Sequence, residues 1–321
     1  MFRILSLDGG GIKGAFTAAV LASFEADTKL KIIDHFDLIA GTSTGGILAI
    51  GLALGLSAEE LLNFYRERGA RIFPATSLIE RTAGLFRQIL KGPKISQQTL
   101  RQELVAILHD RKFGEARCRL VIPSYDAMSG RIYVFKTAHH PRLRYDVEAP
   151  AVDVALATSA APTYFAAAPF PTHRDGSYVD GGVWANCPAL VGLVEATVIL
   201  KQPLSDIDIL SIGTTNAPFS ISKNKNASAL KWNLGLINLM FEAQMEAALA
   251  QASLLIENRL HRVNFVANPG DFSLDDASPD AIAKLSNVGW QTARKREHAE
   301  VIRVRFLNGV PVAKFQPYSI G

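Results

Sequence analysis

The sequence predicts an α/β fold in three layers, a mostly parallel central sheet with helices on both faces. Three observations carry that expectation. Short apolar runs alternate with segments of helical period along the chain. The first two of those runs each finish near a glycine cluster that opens a helix. The longest apolar stretch, Ile47 to Leu56, is too short to cross a bilayer.

In chain order, Arg3-Ile4-Leu5-Ser6-Leu7 reads as the first strand. Ala15 to Thr28 reads as a helix, with Phe16, Val20, Leu21 and Phe24 at helical spacing. Phe36 to Ala40 is a second apolar run, followed by an Ala/Leu-rich helix from about Gly46. Ser57 then caps a third helix, with Glu60 at the capping-box position. Residues 72–98 form a basic amphipathic stretch, apolar at Leu78, Ile79, Leu85, Phe86, Ile89 and Leu90 and basic at Arg81, Arg87, Lys91 and Lys94. That pattern suits a lid or a membrane-surface segment, and equally a core-packed helix with its basic residues outward. Strand-like runs return at Arg119 to Pro123, Ile132 to Lys136 and Ile207 to Ile212. Asn216 to Ser228 reads as an exposed loop, Ala229 to Asn258 as a long helix, and Ser278-Pro279 as the start of another that runs to about Val301. No internal repeat or linker interrupts the pattern, so residues 1–321 read as one domain.

Composition narrows the function. Hydrophobic residues make up 48% and charged residues 20%, a globular balance. The net charge of +4 is mild; it favours an anionic surface or ligand without identifying one, and no nucleic-acid polymer is expected as partner. Cys118 and Cys187 lack metal-ligand spacing and read as buried thiols in a reducing compartment. The apolar strand at the N-terminus carries no leader pattern, which predicts a cytoplasmic protein. The acidic run Asp271 to Asp280 lacks EF-hand spacing, and neither a metal nor a cofactor is expected.

Three short constellations carry chemistry. Asp8-Gly9-Gly10-Gly11-Ile12-Lys13-Gly14 joins the first strand to the first helix. Backbone amides of such a loop can hold a phosphate or the oxyanion of an attacked ester. The same glycines satisfy the G-x-G-x-x-G dinucleotide fingerprint, with Asp34 at the ribose position. Against that reading, Asp8 would stand at the lip and repel a pyrophosphate, and Asp34 precedes the second strand instead of ending it. Gly41-Thr42-Ser43-Thr44-Gly45-Gly46 has the strand–turn–helix context of a nucleophile elbow, with Gly41 and Gly45 around Ser43. A loop that merely caps the helix is the plainer alternative.

A serine hydroxyl needs a base. His261 and His298 do not sit in Gly-rich turns, and His139-His140-Pro141 reads as a surface turn, so no conventional triad is visible. Asp180, at the end of a short apolar run and followed by Gly181 and Gly182, is the alternative base. By itself it is equally a plain Asp-Gly turn.

Taken together and in this order, DGGGIKG, GTSTGG and DGG resemble the patatin-like phospholipase family. The likeness spans at least Phe2 to about Pro188. Two departures stand out: Lys13 occupies a position where many members carry Arg, and Cys187 separates Asn186 from Pro188. The resemblance implies a patatin-like fold and a Ser43–Asp180 dyad that cleaves acyl esters of membrane phospholipids. It implies Gly9, Gly10 and Gly11 as the oxyanion hole, and an acyl-enzyme hydrolysed without a metal. An acyltransferase or a general esterase on the same fold is the competing implication.

Within bacteria the chain looks most like patatin-type phospholipases of antiphage signalling, which a cyclic oligonucleotide switches on. That likeness implies peripheral action at the inner membrane surface, an anionic activator, and room for a homo-oligomer. Arg68, Arg71, Lys94 and the Arg294-Lys295-Arg296 cluster are the candidates to meet such an activator, with an ordinary solvated charged face as the plainer alternative.

Overall fold

The computed structural model describes residues 1–73, 96–162, 164–173, 176–217 and 229–318. One eight-stranded sheet organises them. Its strands are β1 (Phe2–Leu7), β2 (Leu38–Gly41), β3 (Arg119–Asp126), β4 (Arg131–Lys136), β5 (Ala168–Phe170), β6 (Gly176–Asp180), β7 (Ile207–Ile212) and β8 (Leu260–Val263). The order is β5-β6-β3-β2-β1-β7-β8, with β4 paired to β3. The neighbours β3-β2, β2-β1, β1-β7 and β7-β8 run parallel, whereas β4, β5 and β6 add antiparallel pairs.

Alternating side chains put the central strands between two apolar layers. Leu5, Leu7, Ile39, Leu120, Ile122, Leu210 and Ile212 join one core cluster. Their neighbours Ile4, Leu38, Ala40, Val121, Ile207 and Ile209 join the other. A parallel sheet needs both faces covered, and these strands are accordingly mostly apolar, with Arg3, Ser6, Asp208 and Ser211 as buried polar exceptions. The first face carries α1 (Gly14–Thr28), α2 (Thr44–Ala53), α3 (Ala58–Ile72), α4 (Gln97–Leu108) and α5 (Ala151–Ser159). A single helical turn, α6 (Gly182–Ala185), follows β6, and the second face carries α7 (Ala189–Val194) and the long α8 (Ala229–Ile256). Among the described residues, no helix is long and apolar enough to cross a membrane.

The pairing of β3 positions the site. Its Val121–Asp126 stretch pairs with β4 along one edge. The opposite edge pairs with β2 at Arg119–Val121 and with β6 at Ser124–Asp126. Between those two stretches lies Pro123, which has no N–H to give to either strand. Because β6 is antiparallel to β3 and β2 is parallel to it, the C-terminal ends of β2 and β6 meet head on. The chain turns that follow those ends therefore face each other.

Local signals behave as the residues dictate, with two differences. Ser57 and Glu60 form the expected capping box on α3, with Ser57 Oγ accepting from Glu60 N at 3.2 Å and Glu60 accepting from Ser57 N at 2.7 Å. Ser278 caps the helix Pro279–Ala293 (α9). The sequence pattern predicts that this helix runs to about Val301, but it ends at Ala293 and α10 (Arg296–Val301) starts separately. Lys295 is extended, with φ −57° and ψ 137°. Beside the break, Arg294 pairs with Asp27 at 2.9 Å and stacks on Trp290. The second difference is His139, expected on a surface turn. It is buried, with Nε2 at 2.8 Å from Glu195 and Nδ1 at 3.0 Å from Thr137.

Candidate active site

Ser43 stands between β2 and α2 at φ 55° and ψ −124°. A non-glycine residue rarely holds such a conformation, and here the surrounding backbone enforces it. Thr42 N donates to Leu7 O at 3.1 Å, Gly45 N to Thr42 O at 2.8 Å, and Ser43 N to Thr158 Oγ1 at 3.1 Å. The two flanking glycines answer to space. A Cβ on Gly41 would meet Gly45 O at 2.3 Å, and one on Gly45 would meet Leu7 O at 2.2 Å. The elbow thus packs directly on the end of β1, with its serine at the N-terminus of a helix whose dipole favours negative charge.

Asp180, the last residue of β6, faces it. Ser43 Oγ donates to Asp180 Oδ2 at 2.6 Å. The other carboxylate oxygen, Oδ1, accepts from Gly182 N at 2.7 Å. Both side chains are buried. Burial pushes the Asp180 carboxyl up to about 6, against the opposing pull of the hydrogen bonds from Ser43 and Gly182. A carboxylate with that affinity for a proton is a stronger base than an exposed one, yet stays ionised at neutral pH.

The glycine loop closes the third side. The Gly9 amide, expected among the oxyanion donors, is instead committed: it donates to Asn186 O at 3.0 Å. Among the described residues, no acceptor meets the amides of Gly10 and Gly11. Gly11 has φ +57°, and a Cβ there would lie 2.5 Å from Leu274 O, so both conformation and space require glycine. Gly10 packs on Thr214, whose Oγ1 donates to Gly9 O at 2.9 Å.

Asp8 corrects a second expectation. It does not stand at a lip but lies buried beneath the loop, paired with Arg262 at 2.6 Å. Arg262 also donates to Ser211 Oγ at 2.7 Å. Asp8 therefore does not face a ligand at the loop and cannot repel a pyrophosphate from there. The dinucleotide reading loses ground on a different count, since Asp34 sits in a turn before β2 (Ile32–Asp34), away from a strand end. Lys13 reaches across to Thr215 O at 2.9 Å, and burial holds its ammonium below the usual lysine range.

Residues that the sequence does not mark as functional include Arg262, Thr158 and Gln244, and Asn186 stands out there only through the family resemblance, without a role. Arg262 lies among other polar residues (Arg259, His261, Asn264), so nothing local singles it out. The others sit in ordinary sequence contexts and are identified only by their contacts. The two late histidines meet each other: His261 Nε2 lies 3.0 Å from His298 Nδ1, and burial lowers the His261 ring to about 4.

The basic residues expected to meet an anionic activator are largely partnered. Arg68 and Arg71 converge on Glu103 at 2.6 and 3.4 Å, Arg294 pairs with Asp27, and Arg296 pairs with Glu300 at 2.9 Å. Lys94 and most of the 72–98 stretch lie outside the described residues, as does most of the Asn216 to Ser228 loop. Cys118 and Cys187 are free and buried, and burial raises both thiols, that of Cys187 to about 12.

Comparison with known proteins identifies the family. Residues 5–193 match the family described as Patatin-like phospholipase. The chain is 34% identical to a cGAMP-activated phospholipase of Vibrio cholerae, over 98% of this chain and 96% of that one. It is 35% identical to a cGAMP-activated phospholipase of Pseudomonas aeruginosa, over 92% of this chain and 88% of the other. Against the Escherichia coli protein of that name, identity is 34% over 91% and 88%. With a family match over more than half its length and relatives of this identity over nearly all of it, the chain belongs to the patatin-like phospholipase family.

Proposed function

We propose that this chain cleaves acyl esters of membrane phospholipids, with Ser43 as nucleophile and Asp180 as its base. The observation that carries the reading is the 2.6 Å hydrogen bond from Ser43 Oγ to a carboxylate that burial has made more basic. Asp180 takes the Ser43 proton as Oγ bonds to the ester carbonyl carbon. The free amides of Gly10 and Gly11 receive the oxyanion. When the tetrahedral intermediate collapses, the ester C–O bond breaks and Asp180 gives its proton to the departing lysophospholipid oxygen. Water then gives a proton to Asp180 while its oxygen attacks the acyl group on Ser43. That proton returns to Ser43 Oγ as the fatty acid leaves.

The names of the bacterial relatives support a switch by a cyclic oligonucleotide of the cGAMP kind. The role in antiphage defence follows from the sequence resemblance alone. A substrate of this class is met at the inner membrane surface, by peripheral contact. Because one sheet draws its strands from Phe2 to Val263, we read residues 1–321 as a single catalytic domain.

The test is fatty-acid release from phosphatidylethanolamine–phosphatidylglycerol vesicles, with and without cGAMP, alongside fluorophosphonate labelling. Release by the wild type in cGAMP and none by Ser43→Ala is the expected result. Equal release without cGAMP removes the switch alone. No release in either condition, together with an unlabelled Ser43, removes the hydrolase.

A further inference from the structure

The turn that follows Asp180 contains an interruption that the dyad does not explain. Gly182–Ala185 forms the single helical turn α6. In a continuing helix, Asn186 N would donate to Gly182 O, four residues earlier. It does not. The carboxamide of Gln244, from the middle of α8, is inserted between them. Its Oε1 accepts from Asn186 N at 3.2 Å, and its Nε2 donates to Gly182 O at 2.6 Å. One side chain thus replaces a backbone hydrogen bond with two of its own, which holds the helix open at this point.

Both residues it holds touch the reacting groups. Gly182 N is the donor that orients the Asp180 carboxylate, at 2.7 Å. Asn186 O is the acceptor that fixes Gly9 N, at 3.0 Å, and so anchors the glycine loop. The spacing leaves little slack, because a Cβ on Gly9 would lie 2.4 Å from Asn186 Oδ1 and 3.2 Å from Ser43 Cβ.

We propose that Gln244 is a positioning residue for ester hydrolysis, setting the Asp180 carboxylate and the glycine loop in register with Ser43. The inference rests on the hydrolase reading above. Through it, the place of α8 on the sheet is transmitted to both halves of the catalytic centre. Without the carboxamide, Gly182 O and Asn186 N are free to close on each other as an ordinary helical pair. Asn186 O would then move away from Gly9, and Gly182 N would turn from Asp180.

The experiment uses the full chain with Gln244→Met, which keeps the volume and removes both hydrogen bonds, and Gln244→Ala. Hydrolysis of p-nitrophenyl butyrate is measured across pH, and amide exchange is followed over residues 181–187. The expected result is a kcat lower by about 10- to 100-fold, as a displacement near 1 Å produces, with KM little changed. The acidic limb of the profile should move to higher pH, because losing the Gly182 hydrogen bond makes Asp180 easier to protonate. Exchange over 181–187 should rise in both variants. Gln244→Met with wild-type kcat, or with unchanged exchange over that turn, overturns the proposal. A wild type that neither hydrolyses esters nor labels with fluorophosphonate defeats the hydrolase reading, and the exchange measurement then still decides the role of Gln244 in the turn.

Discussion

Arg262 on β8 closes a 2.6 Å ion pair with Asp8 at the end of β1, across the intervening strand β7. Asp8 is almost fully buried, and its Oδ1 has no partner among the described residues. Removing the guanidinium therefore leaves an uncompensated carboxylate under the glycine loop. Arg262→Met should cost about 3–5 kcal/mol in urea denaturation, the range found when one partner of a buried pair is deleted. A loss below about 1 kcal/mol would mean that water reaches Asp8 and that the pair is dispensable.

Ser43→Ala and Asp180→Ala should each abolish turnover, and the double variant should lose little more than either single. The two groups act on one proton, so their effects do not add. Steady-state kinetics on vesicles would check this. Substantial activity in Asp180→Ala would point to a different base.

Activity should fall below about pH 6, where Asp180 takes up a proton and ceases to act as a base. The limb should be visible in kcat/KM, falling tenfold per pH unit. A profile flat down to pH 4.5 contradicts the assignment.

The same shift predicts a stability effect of opposite benefit. The folded-state value of Asp180 is raised from 3.8 to about 6. Its contribution is therefore fully present below the unfolded value and is lost as pH rises through the folded one. At neutral pH the ionised, buried carboxylate costs about 2–3 kcal/mol on an order-of-magnitude scale. Asp180→Asn keeps the shape and can accept from Gly182, so it should be inactive yet more stable at pH 7.5. The gain should shrink as pH falls from about 6 to about 4. Equal stability of the two proteins at both ends of that range would refute the cost assigned to burial.

Gly45→Ala should not be tolerated. Its new methyl would meet the β1 backbone at 2.2 Å, and backbone cannot move aside as a flexible side chain would. Overpacking of this kind costs about 1–3 kcal/mol or more. Thermal unfolding of the variant checks it, and an unchanged midpoint would show that the elbow has more room than its distances imply.

The split between what is legible in the sequence and what is not follows the range of the interactions. Ser57 with Glu60, and Ser278 with Pro279, act over a single helical turn, so their residue types announce the helix starts directly. Gly41 and Gly45 announce the elbow because a sharp strand-to-helix turn leaves no room for Cβ atoms there. His139 departs from its expected surface turn because its burial depends on Glu195, far along the chain. The break at Lys295 is invisible locally because the Arg294–Asp27 pair that accompanies it belongs to another helix.

By itself the sequence determined the alternation of strands and helices and marked Ser43 and Asp180 as candidates, since each of these is written in neighbouring residues. Tertiary structure alone decided that β2 and β6 meet end to end on one edge of β3, which brings Ser43 and Asp180 within 2.6 Å. It also decided which glycine amides remain free, because Asn186 claims that of Gly9. Local conformational preference acts over a few bonds, whereas hydrogen-bond partners and burial are fixed only when distant segments pack.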